Sequence, residues 1–294
     1  MRRVLAQLAL AALAVALPGI ARGDAGRPVP GAVATGPAQA RPAPGSPLLG
    51  ALAVPPGDRA RLAAAIARER ALNPAAFAAL RALERSLGSI PAGRDGRLDV
   101  RAALRPLGHA AVLPVLERLA LAGPEGEALD DPRREALATA LLEAVGALRD
   151  ERARPVLAAV VARAGGRLEE VRAAAGGLAR LGADTDLELV ARLARSGGAR
   201  GRAGVEALGA LRRPATIRTL EALLAEAGSE DDARAVVRAA GDAGNAWAWL
   251  TPALAGSGEG GRTRAAARAL VERAARTWPG LAREAAKSAR VIDG

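Results

Sequence analysis

The sequence predicts an all-α protein, and three observations carry that reading. Half of the 294 residues are hydrophobic, yet only 1% are aromatic and tyrosine is absent. The apolar half is mostly alanine and leucine, strong helix formers, while the β-branched and aromatic residues that favour strands are scarce. Apolar residues also recur at steps of three and four, as in Leu137, Leu141, Val145 and Leu148, which places them on one buried helix face. Finally, the pattern repeats along the chain with a period of about 32 residues, the mark of stacked supersecondary units.

The elements follow in order. Arg2 and Arg3 precede an uncharged apolar stretch from Val4 to Leu17, then Pro18 and Gly19, with Ala21 and Gly23 at the spacing of a leader-peptidase site. Residues 1–23 therefore predict a cleaved signal peptide and a periplasmic or secreted protein, or a membrane-anchored one if uncleaved. Residues 24–57 are rich in proline and glycine, lack the means to pack, and predict a disordered linker. Residues 58–97 read as a less regular pair of capping helices, and residues 98–294 as the repeat array.

Within the array the sequence aligns with itself. GALRDERARPVLAAVV from Gly146 matches GALRRPATIRTLEALL from Gly209, with Leu157, Val160 and Val161 in register with Leu220, Leu223 and Leu224. Leu148, Leu181 and Leu211 mark corresponding helix ends, and Leu107 with Pro114 places an earlier unit ahead of an insertion at residues 122–131. The last unit is expected over residues 262–290. Asn73-Pro74 and Asp131-Pro132 read as helix starts, with the side chain before proline as cap. Ser229 with Asp232 reads as a capping box. Gly165-Gly166, Gly197-Gly198 and Gly260-Gly261 read as breaks between hairpins.

The Leu-Gly or Leu-Arg end of helix one, the short polar turn, and the Pro-Val-Leu start of helix two (Pro114 to Leu116, Pro155 to Leu157) resemble the HEAT-repeat family, in its short bacterial form. The resemblance implies a right-handed α-solenoid of about five to six helical hairpins, with second helices lining a concave face.

Chemistry is limited by supply. Without cysteine, and with His109 as the single histidine, thiol catalysis, thiolate metal sites and histidine triads are excluded. Asp184, Asp186 and Glu188 lack the glycine turn and later glutamate of a calcium loop, and read instead as acids stabilising a helix start. No metal or cofactor site is predicted. The net charge of +11 is almost all arginine, with Lys287 the one lysine, and signal cleavage would lower it by three.

Arginines crowd residues 192–218 and 262–290. Arg192, Arg195 and Arg218 are candidates for one strip on adjacent second helices, able to grip carboxylates or phosphates. Trp247 and Trp249, two residues apart, cannot face the same core. Trp249 is expected inside and Trp247 outside, as an anchor for a partner. The sequence thus predicts a non-enzymatic scaffold in the cell envelope that binds a protein or peptide. An alternative is a surface protein that holds anionic polysaccharide or lipid headgroups through its arginines. With almost no aromatic stacking surface, nucleic acid is disfavoured.

Overall fold

The computed structural model describes residues 47–86, 100–121, 131–250 and 258–294. The predicted signal peptide, the linker as far as residue 46 and most of the 122–131 insertion lie outside these residues. Every regular element among the described residues is helical. None of these helices is long and apolar enough to cross a membrane.

The linker boundary needs correcting. Leu48, Leu49, Leu52 and Val54 are buried, so the segment up to Pro55 packs against the body rather than forming free linker. The amides of Leu48 and Leu49 donate to the carbonyls of Arg118 and Leu119, at 3.0 and 3.2 Å. Arg134 donates to the carbonyls of Pro47 and Leu48, and Arg163 Nη1 to that of Leu49 at 2.7 Å. The physical reason is that Leu-Leu-Gly-Ala-Leu-Ala-Val has enough apolar surface to offset its ordering, unlike the Pro/Gly-rich run before it.

Helix α1 spans Pro56–Leu72 and α2 Pro74–Ser86, the expected capping pair with the first helix starting two residues early. Asn73 does not cap α2 with its side chain. Its amide Nδ2 turns back to Glu69 of α1, while its carbonyl accepts from Ala76. A helical turn at residues 100–104 and a 3-10 stretch, Arg105–Ala111, lead into α3, Val112–Ala120. Then follow α4 (Asp131–Ala147), α5 (Arg154–Ala162), α6 (Leu168–Leu181), α7 (Asp184–Ala194), α8 (Gly198–Ala210), α9 (Pro214–Ala225) and α10 (Glu230–Ala243). The chain closes with α11 (Gly260–Thr277) and α12 (Ala282–Asp293).

Two rows result. First helices α4, α6, α8 and α10 pack each on the next, and second helices α5, α7 and α9 lie beside them. Small residues set the spacing of the first row. A Cβ on Gly146 of α4 would lie 2.7 Å from the Gly177 Cα of α6, so neither position tolerates a side chain without movement. Leu141, Leu157, Leu178, Leu208 and Leu220 fill the space between the rows at essentially zero exposure.

The last unit departs from the expected register. Helix α11 packs on α9 and α10, and so completes the hairpin begun by α10, whereas α12 packs on α10 and extends the first-helix row. Gly260 and Gly261 open α11 instead of breaking a hairpin.

Candidate functional site

The four residues picked from sequence do not form one site. Arg192 on α7 and Arg218 on α9 are exposed and have no ion pair among the described residues. Arg195, at the end of α7, has its Nε 3.5 Å from Glu226 Oε2. It borders a cavity of about 230 Å³ with Arg202, Glu226 and Asp232, whose lining takes in neither Arg192 nor Arg218. Trp247 is 72% exposed, and Trp249 is buried with its indole N–H donating to the Ala243 carbonyl at 3.0 Å. Trp247 has Leu250 as its exposed apolar neighbour and lies in a different element from the arginines.

Nor is the 192–218 cluster as positive as its sequence suggests. Folding brings Asp184 to Arg213, at 2.9 Å, and turns Arg200 inward onto the carbonyls of Val161 and Arg163. Asp186 is buried, accepts the Ala183 amide at 3.0 Å and Arg154 Nε at 3.2 Å, and so ties one hairpin to the next. His109 Nδ1 lies 3.5 Å from Asp150 Oδ2. That carboxylate is gripped by Arg152 through Nε and Nη2, and these bonds hold its pKa below the usual carboxylate range. Among the described residues no group of three acidic or histidine side chains could hold a metal ion.

The feature that sequence reasoning missed is a groove of about 460 Å³ across the first helices α4, α6 and α8. Its floor is made of small residues: Ala147, Ala173, Gly176, Ala203, Ala207 and Ala210. Its rim alternates in charge. Arg101 pairs with Glu143 at 3.3 Å, and Arg172 bridges Glu169 at 2.5 Å and Glu206 at 2.9 Å. Arg180 stands on the same rim, beside Gly146 and Gly176. The available signal was the alignment of alanine and glycine on the first helices outside their leucine stripe. The groove also lies on the first-helix row, whereas the family resemblance pointed to the second helices.

The described residues thus form an all-helical body of paired helices that carries an open groove with a small-residue floor and a rim of both charges. No family model, curated protein or solved structure matches the chain, so its function is argued from these residues.

Proposed function

We propose that the chain is an exported HEAT-like α-solenoid that acts as a non-enzymatic scaffold, holding an extended polypeptide in the groove across α4, α6 and α8. The observation that carries the reading is the floor of Ala147, Ala173, Gly176, Ala203, Ala207 and Ala210. Side chains this short let a second backbone approach closely, and the mixed rim offers donors and acceptors to both its N–H and C=O groups. The repeating Leu-Gly and Pro-Val-Leu spacing and the two helix rows support the solenoid. Arg2, Arg3, the apolar run and the Ala21/Gly23 pair support export to the periplasm or beyond.

The test places a photo-crosslinking residue at Ala147 or at Ala210, both only partly covered or exposed, and in parallel at Arg192, Arg218 and Trp247. Envelope fractions are then irradiated. Crosslinks to a polypeptide from the groove positions alone support the reading, and persistence of those adducts in moderate salt separates groove binding from counterion-driven attachment. Crosslinks only from Arg192, Arg218 or Trp247 move the site to the positions first read from sequence. Absence from every position removes the scaffold role. A mature N-terminus at Met1 removes the export signal.

A further inference from the structure

The C-terminal ends of α4, α6 and α8 bring three arginines within electrostatic reach of one another. Arg149 follows α4, Arg180 is in the last turn of α6, and Arg212 follows α8. Desolvation first, then the charges of Arg149 and Arg101, push the Arg180 guanidinium below its ordinary range. Desolvation, Arg149 and Arg180 do the same to Arg212. Asp242 attracts Arg212, and Glu143, already paired with Arg101, attracts Arg180, but neither closes an ion pair with them. Among the described residues none of the three guanidiniums has an ion pair or a hydrogen bond, and Arg212 Nε is buried without an acceptor. A buried donor left unpaired is a standing cost to the fold.

The backbone adds a second observation. Arg149 has φ 53°, the one non-glycine residue with positive φ among those described. At the corresponding positions after Leu107 and Leu181 the chain has glycine, Gly108 at φ 51° and Gly182 at φ 74°. An L side chain in this region is strained where glycine is not. The helix dipole favours one cation at each of these three ends. It explains neither a side chain in a glycine position nor a guanidinium nitrogen without an acceptor. Like-charge repulsion and guanidiniums without an ion pair have one remedy, an oxyanion among the three, and its binding would also offset the strain held at Arg149.

We propose that Arg149, Arg180 and Arg212 form a binding site for a phosphate group. A tetrahedral dianion presents enough acceptor oxygens for three planar guanidiniums, and its charge would cancel the repulsion among them. The site is separate from the polypeptide groove in all but Arg180, so either can fail without the other.

The test uses the full chain in chloride buffer at fixed ionic strength. It is titrated calorimetrically with inorganic phosphate, and in a second arm sedimented with phosphatidylcholine vesicles containing phosphatidic acid. Saturable binding of phosphate above the chloride control is expected, with Arg180→Gln and Arg212→Gln each weakening it by about tenfold. Arg149→Asn is the sharper variant, since asparagine accepts the left-handed region. It should melt higher than the parent in phosphate-free buffer, yet bind phosphate more weakly, a pairing that general loss of structure cannot produce. Arg192→Gln should change nothing. Binding of free phosphate marks a soluble ligand and binding of vesicles alone a lipid headgroup, and both support the site. Phosphate and vesicle binding no better than in chloride, or unchanged in all three variants, overturns it.

Discussion

The front of the molecule and its middle are held together by different means. From α6 to α10 each first helix finds another on either side, and cohesion comes from close apolar packing, with alanine and glycine letting backbones meet and leucines filling between. At the front, among the described residues, no helix precedes α1, α2 and α3 for them to lie on. There the fold relies on polar fasteners. Glu84, 2% exposed, pairs with Arg118 Nε at 2.5 Å. Arg70 binds Glu117 and stacks 4.4 Å over the Phe77 ring. Arginine side chains from α4 and the end of α5 hold the carbonyls of residues 47–49. A repeat array can share its interfaces indefinitely, but its ends must be closed by something else.

If that contrast is sound, the largest effect should come from the front. Arg118→Met takes a guanidinium away from the buried Glu84 carboxylate and should cost about 3–5 kcal/mol in chemical denaturation, whereas the double change Glu84→Leu with Arg118→Met should recover most of the loss. A double variant as weak as the single one would show that the pair's geometry, and not the charge remaining on Glu84, is what matters.

The middle should respond to volume instead. A Cβ on Gly204 of α8 would run into the Ala194 backbone of α7, so Gly204→Ala should destabilise by about 2–3 kcal/mol. A Cβ on Gly176 of α6 meets only the flexible tip of Arg180, at 3.5 Å, and Gly176→Ala should stabilise by about 0.5–1 kcal/mol. Equal melting temperatures for the two would mean that the helices of the array are not in fixed contact.

The smallest effect expected is one of pH. Burial raises the pKa of Glu170 in α6, against the pull of Arg167 and Arg163. A carboxyl raised in the folded state destabilises it when ionised. The penalty is complete above the folded pKa, shrinks as pH falls through it, and is gone below the unfolded value near 4.3. Glu170→Gln should therefore melt higher than the parent at pH 7, with the gap closing as pH falls toward 4. A gap that widens on acidification would reverse the assignment and place Glu170 among the stabilising charges.

Much of the architecture was legible in the chain. The steps between Leu137, Leu141 and Val145, and the recurrence of Leu148, Leu181 and Leu211, locate helices and their ends, because burial of one helix face is a local, periodic constraint. That Trp247 and Trp249 point to different sides follows from helical rotation, about 120° per residue in their 3-10 stretch, while which of them is buried is decided by packing. Asp186 at a helix start was legible too, but its bond to Arg154 of the preceding hairpin was not. Where the reading fell short, distant partners decide. The burial of Leu48 and Leu49 depends on α3 and on arginines 86 and 114 positions away. The places of α11 and α12 in the two rows depend on their contacts with α9 and α10, which no local spacing reveals.

The sequence by itself thus determined the helical class, the pairing of neighbouring helices and the supply of chemistry, since propensity and periodicity act over a few residues. Which charges cancel and which remain was decided by tertiary structure alone. In the sequence Arg200 and Arg213 are no different from Arg149, Arg180 and Arg212, yet folding gives the first two their partners and leaves the other three without an ion pair or hydrogen bond among the described residues. Coulomb energy depends on distance through space, and spacing along the chain does not reveal that distance.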